Sequence, residues 1–282
     1  MLNNVFLCAE LSPGCLSRQR DLTVTSSDDR DIFMADITVV SPSRLLLTDH
    51  YNMTLMLVDS VNDGVLSEVT VPGQPYGVCL HGDGRAAVAV YDVKKIQFCH
   101  VDNNTLSLDI AIDVQGNPLS ISAYDNFNLV ISCKNPARVA MITMDGRVVV
   151  EAENTMAGKQ VFKNPIFTII SNDGEVFVSD IGTHTIVQMD RKFRIIQTFT
   201  SPMLTTPLGI VAVSTCQLLV VDRDSYNIVI LNTTNGIVSP LLGQADELRQ
   251  PRAVTWCPTS KKLYVGDNVT GRAKSLSVFC KK

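Results

Sequence analysis

A chain of 282 residues that is 45% hydrophobic and 18% charged carries enough apolar side chain for a sizeable core and too much for a disordered segment. A formal net charge of −4, with an isoelectric point near 5.6, weighs against a surface built chiefly to grip a nucleic-acid backbone, while leaving room for a local basic patch. No window holds 18 consecutive apolar residues, so no membrane-spanning helix is predicted.

The opening phrase, MLNNVFLCAELSPGC, has no basic region, and its apolar run Val5–Ala9 is too short for a secretory signal. A cytoplasmic chain is expected. The eight cysteines fit that setting: none forms a C-x-x-C pair, and most lie inside apolar runs such as YGVCLH and LVISC, as small buried hydrophobes with free thiols do. Residues 1–19 are expected to be a tether, broken by Ser12-Pro13-Gly14. A strand-like phrase without a neighbour, RDLTVTS (20–26), follows.

From there the chain repeats one unit of four short apolar runs separated by turn residues. The first unit reads ITVVS (37–41), RLLLTD (44–49), TLMLVD (54–59) and LSEVTV (66–71). The second reads YGVCLH (76–81), RAAVAVYD (85–92), KIQFCHV (95–101) and LSLDIAI (106–112). The third reads PLSISAY (118–124), NLVISC (128–133), ARVAMIT (137–143) and RVVVEA (147–152). A more polar connection, Glu153 to Lys163, comes next and is expected as a short helix or raised loop. The fourth unit is the clearest: Ile166–Ile170, Val176–Ser179, Thr185–Met189 and Arg194–Thr198, with Asp173-Gly174 as a strong hairpin signal. The fifth reads GIVAVS (209–214), QLLVVD (217–222), NIVILN (227–232) and GIVSPLL (236–242). The sixth has three runs only, PRAVTWC (251–257), KKLYVGD (261–267) and AKSLSVF (273–279).

The second run of each unit ends at Asp49, Asp92, Lys134, Asp180, Asp222 or Asp267, at spacings of 42 to 46 residues. A four-strand repeat of that period predicts an all-β, six-bladed propeller of four-stranded antiparallel blades, one domain over 20–282. The sixth unit lacks a strand and the N-terminal phrase is one too many. The ring is therefore expected to close by pairing the N-terminal strand with the last blade, which removes an exposed sheet edge.

The recurring Asp reads as turn chemistry, its carboxylate accepting from the backbone of the next turn, rather than as a metal ring. His50, His81, His100 and His184 show no metal-ligand spacing on one element. No G-x-S-x-G, H-E-x-x-H or phosphate-cradling glycine loop is present. The turns between second and third strands share one propeller face with the loops entering each first strand, and binding residues concentrate on such loops. That face is expected to carry Tyr51, Tyr76, Lys94, Lys95, Arg138, His184, Arg223, Tyr226 and Arg252, a basic and aromatic set of the kind enriched at binding hot spots.

The phrases VFVSDIGTHTIVQMD, QLLVVDRDSYNIVIL and RLLLTDHYNMTLMLVD resemble the NHL repeat, as do the Pro-led openings NPIFTI, TPLGIVAV and QPRAVTW. The resemblance covers about residues 32–282 and weakens in the third unit, where Lys134 replaces the Asp. The stretch PYGVCLHGDGRAAVAVYDVKKIQF further resembles the C-terminal propellers of invertebrate tripartite-motif (TRIM-like) proteins, whose propeller selects the partner. No Cys/His spacing here could build their RING or B-box, so ligase activity is not carried over. The expected function is a non-enzymatic, protein-binding propeller, monomeric, without catalytic residue, metal or cofactor, and with neither DNA nor membrane as partner. An RNA-binding propeller, as in some NHL relatives, is the first alternative. A calcium-dependent lactonase-like hydrolase is the second.

Overall fold

The computed structural model describes residues 11–25, 31–82, 84–152, 155–156, 159–267 and 275–282. Six four-stranded antiparallel sheets form six blades. Blade 1 is Met34–Ser41, Arg44–Asp49, Thr54–Asp59 and Val65–Thr70. Blade 2 is Pro75–Leu80, Arg85–Val90, Lys95–Asp102 and Thr105–Asp113. Blade 3 is Asn117–Ala123, Asn128–Lys134, Arg138–Thr143 and Val148–Glu151. Blade 4 is Pro165–Ile170, Val176–Asp180, Thr185–Met189 and Ile195–Phe199. Blade 5 is Pro207–Ala212, Gln217–Asp222, Asn227–Asn232 and Val238–Leu242.

Blade 6 takes Pro251–Cys257, Lys262–Asp267 and Ser275–Lys281 from the C-terminus and Leu16–Thr23 from the N-terminus. The pairing is antiparallel, with Leu16 opposite Lys281 and Leu22 opposite Leu276. The closing strand therefore starts four residues earlier than the 20–26 phrase implies. The ring also reaches back into the expected tether: Leu11 is buried, and its N–H and C=O both bond the Gln217 side-chain amide, at 2.9 and 3.1 Å. A tether reading fails for this part because Leu11 and Leu16 pack into the core between blades 5 and 6. Residues 1–10 of the expected tether, residue 26 and residues 273–274 lie outside the described residues.

The first strands of successive blades touch one another around a closed circle, blade 6 against blade 1 included, so they line the central axis. They approach closely enough to demand glycine. A Cβ on Gly77 would sit 2.7 Å from Ser120 Cα, and one on Gly209 would sit 2.5 Å from the Arg252 carbonyl oxygen. Middle strands such as Arg44–Asp49 and Gln217–Asp222 are buried nearly throughout, because a neighbouring blade covers each face. The outer strand Val65–Thr70 is half-exposed along its length. The core is accordingly divided into six clusters, each filling the space between two successive blades. Leu45, Leu57, Val178 and Val220 are fully buried there, and each such side chain contributes about 1.5–3 kcal/mol.

The Glu153–Lys163 connection is no helix: Thr155–Met156 pairs antiparallel with Lys159–Gln160, while 153–154 and 157–158 lie outside the described residues. Seven cysteines, all but Cys8, are described, and no disulfide joins any two of them. No described helix is long and apolar enough to cross a membrane.

Candidate functional site

The strand-end aspartates set the geometry of one face of the ring. Asp180 accepts from the N–H groups of Gly182 and Thr183 in the turn that follows, at 2.8 and 2.9 Å. It also accepts from Lys163 at 2.8 Å and Asn164 at 3.1 Å, in the loop entering its own blade. Asp222 repeats this with Thr205, Thr206 and Ser225. Each carboxylate thus ties the turn between second and third strands to the loop before the first strand, as the turn reading expects and one step further.

In blade 1 the same device builds the candidate site. Asp49 accepts from Phe33 and Tyr51 N–H, both at 3.1 Å, and the Phe33 carbonyl accepts from His50 N–H at 2.9 Å. These bonds hold Phe33 against the turn, with its ring centroid 4.9 Å from Tyr51 and 5.4 Å from His50. The His50 ring lies edge-on to Tyr76 at 4.6 Å, and Tyr76 meets Tyr91 at 5.4 Å. Arg252 enters from blade 6. Its guanidinium carbon lies over the Phe33 ring at 5.1 Å and over the Tyr76 ring at 5.5 Å. The result is a row of aromatic rings from blades 1 and 2 around one arginine of blade 6, running from the inner strands out to Tyr51, which is 62% exposed.

Arg252 is only 9% exposed, forms no ion pair among the described residues, and its Nε has no hydrogen-bond partner. Burial pushes its guanidinium below the ordinary value; Tyr76 and Asp36 draw it back up, and Arg223 opposes them. It remains a cation, because guanidinium starts so high. The nearest relevant carboxylate, Asp36 of blade 1, is committed elsewhere. Its two oxygens accept from Ile37 N–H at 2.8 Å and from Val78 N–H of blade 2 at 3.0 Å. Blade 3 has Ser120 in the same register, accepting from Thr168 N–H of blade 4 at 3.0 Å. Asp36 is therefore a carboxyl in a position that a hydroxyl can fill. Burial drives its pKa up to about 7, against the backbone donors and Arg252. Burial also pushes His50 below the usual imidazole range, helped by Arg252, so its ring is neutral at neutral pH. Its Nδ1 has no hydrogen-bond partner.

Of the residues expected on this face, Tyr51, Tyr76 and Arg252 come together, and Arg223 stands near enough to repel Arg252. Arg223 itself pairs with Asp224 at 2.8 Å. The others are elsewhere. Arg138 is buried, paired with Glu151 at 2.8 Å and bonded to the Gln115 carbonyl at 2.7 Å, so its place is structural. Lys94, His184 and Tyr226 share one turn position with left-handed backbone, φ 55°, 59° and 57°, just before the third strand of their blades. Lys95 pairs with Asp113. His184 Nδ1 meets the Thr205 carbonyl. Tyr226 lines a separate cleft of about 560 Å³ with Gln244, Glu247, Leu248, Arg249 and Gln250.

Phe33, Asp36, His50 and Tyr91 belong to the cluster and were not among the expected binding residues. One signal for Asp36 is visible: it is the lone charge in the apolar run MADITVV. Among the described residues, no three His, Cys, Asp or Glu side chains converge in a group able to hold a metal ion.

No family model and no curated protein matches the chain. The NHL and TRIM-like resemblance therefore stands on the quoted phrases alone. Solved structures do match in fold. A virginiamycin B lyase from Staphylococcus aureus superposes with a TM-score of 0.67 at 14% identity, covering 94% of this chain and 99% of that one. A catalytically inactive form of that lyase, solved with quinupristin, gives 0.65 at 15% identity, with the same coverage of 94% and 99%. A protein of unknown function from Bacteroides thetaiotaomicron gives 0.71 at 12% identity, over 94% and 72% of the two chains. At such identities the likeness shows the fold alone. It does overturn the expectation of a chain that is not an enzyme. That expectation leaned on a propeller without a recognisable catalytic motif, and this same ring carries lyases.

Proposed function

We propose that the mouth of the ring around Arg252 is a docking site for a partner protein. The observation that carries this is the buried Arg252, without an ion pair among the described residues and lying close to the Phe33 and Tyr76 rings, with Tyr51 exposed nearby. Arginine and tyrosine at the centre of a partly desolvated patch are the residue types on which interfaces concentrate their energy. The TRIM-like phrase in blade 2 agrees with such use, since those propellers select partners. Cysteines placed without a disulfide between any two of the described seven suit a reducing, cytoplasmic setting, and the chain would act as a single ring.

The test is affinity capture with the wild type and a Tyr51→Ala/Arg223→Ala/Arg252→Met variant in parallel, with bound protein and RNA both identified. A protein held by the wild type and lost by an equally stable variant supports the reading. Equal capture by both overturns it, and RNA as the main bound species would transfer the site to the RNA-binding alternative.

His50 favours a second reading. A neutral imidazole with an unpartnered Nδ1 in a half-buried mouth is a competent proton acceptor. A lyase needs such a base, and quinupristin is the compound seen with the inactive lyase of the same fold. Chromatography of quinupristin after incubation with this protein tests it. Loss of the intact compound that disappears with His50→Asn supports catalysis; full recovery of the compound removes this reading.

A further inference from the structure

We infer that the space in front of Arg252 is a carboxylate subsite, filled by an acidic side chain or C-terminal carboxylate of the docked segment. The inference rests on the docking reading and names the chemistry that the site selects.

The first ground is an imbalance of charge. A guanidinium that is 9% exposed and without an ion pair among the described residues is an expensive thing to bury. Asp36 is no substitute, because both of its oxygens already accept backbone N–H groups. Arg223, which pairs with Asp224 at 2.8 Å, still opposes the Arg252 charge. Among the described residues no carboxylate forms an ion pair with Arg252, and a ligand can supply one.

The second ground is shape. Phe33 and Tyr76 wall the guanidinium with aromatic rings, its carbon lying 5.1 and 5.5 Å from their centroids, and no described carboxylate forms an ion pair with it. The donor fork of a guanidinium matches the two oxygens of a planar carboxylate. A phosphate dianion would need more donors than one aromatic-walled arginine provides, as Arg223 is already engaged by Asp224. Outward from Arg252, the Phe33 and Tyr51 rings, tilted 44° to each other, give an aromatic seat for whatever bears the carboxylate.

Isothermal titration of the full chain with phenylacetate, phenylacetamide and inorganic phosphate tests this. Phenylacetate should saturate and bind about tenfold or more tightly than its neutral amide, the loss expected for a charge-assisted pair. Arg252→Met should erase that preference and Arg252→Lys should retain part of it. Equal binding of acid and amide, no binding of either, or phosphate binding more tightly than phenylacetate would each overturn the carboxylate assignment. Should Arg252→Met fail to fold, the acid-to-amide ratio in wild type and Arg252→Lys still decides. The outcomes separate this inference from the one beneath it. A captured protein indifferent to Arg252→Met leaves the docking face standing and removes the carboxylate. Phenylacetate selectivity with no captured protein does the reverse.

Discussion

The guanidinium carbon of Arg252, in the first strand of the last blade, lies 5.1 Å from the centroid of the Phe33 ring, which precedes the first strand of blade 1. The candidate site therefore sits on the seam where the ring closes. Its geometry depends on a closure made far from it in sequence, between Leu16–Thr23 and Ser275–Lys281.

Removing residues 1–25 should therefore damage fold and site together. The deletion strips Leu16 and Leu22, both buried, from blade 6. At about 2 kcal/mol each, this alone should lower Tm by about 10 °C in a domain of this size. Thermal melting followed by circular dichroism reads the effect, and an unchanged Tm would contradict closure by this strand.

The strand-end aspartates should differ in worth according to their bonds. Asp180 serves four backbone N–H groups. Asp180→Ala should cost about 2–4 kcal/mol by denaturant titration. Among the described residues Asp267 has one oxygen without a partner and receives only Arg249 N–H, at 3.4 Å, while burial pushes its pKa up to about 7. Asp267→Asn should gain stability relative to wild type as pH rises from about 4 to about 7 and keep that gain above it. Equal losses at the two positions would refute this account of the turn.

Asp36 should give stability a pH slope of unusual sign. Its folded pKa of about 7 lies above the ordinary 3.8, so between those values the folded chain holds a proton that the unfolded chain releases. The group's contribution to stability thus falls as pH rises through that window, and the full cost of its charge is felt above it. Asp267 acts in the same direction, while His50 and His81, both lowered, act in the opposite one. The difference between wild type and Asp36→Ser isolates the group, since Ser120 shows that a hydroxyl satisfies the equivalent N–H. Relative to the variant, wild type should lose stability between about pH 4 and pH 7 and then run level with it above about pH 8. Parallel curves would show that Asp36 does not titrate there.

Arg138 and Arg252 should separate cleanly. Both were expected on the binding face, yet Arg138 is spent on Glu151 and the Gln115 carbonyl. Arg138→Met should lower Tm and leave phenylacetate affinity unchanged. Arg252→Met should lower affinity with a smaller change in Tm. An affinity loss from Arg138→Met without loss of stability would return it to the site.

The ring was legible because its signal is repeated. Runs such as RLLLTD, VFVSDI and QLLVVD recur at nearly constant spacing, and each copy reinforces the others. The missing fourth run of the last unit told where the N-terminal strand must go, although not its register, since the polar SRQRD of the outer strand carries little apolar pattern. The site was half legible. Tyr51, Tyr76 and Arg252 could be placed on a face from the turn rule alone. Their association could not, because it depends on contacts between blades 6, 1 and 2 that only ring closure creates. Phe33 was missed because blade 1 opens without the Pro that marks Tyr76, Ile166, Leu208 and Arg252 as first-strand residues. Arg138 was misread because its partner Glu151 lies on the adjacent strand, where spacing alone gives no pairing.

The most direct measurement is the dissociation constant of a protein captured by the wild type, determined for the wild type and for the Tyr51→Ala/Arg223→Ala/Arg252→Met variant with Tm recorded for both. Loss of these three side chains, with Tyr51 and Arg252 as the hot spots, predicts binding about a hundredfold weaker, with the ring still folded. Equal affinity in two equally stable proteins would contradict docking at the mouth of the ring.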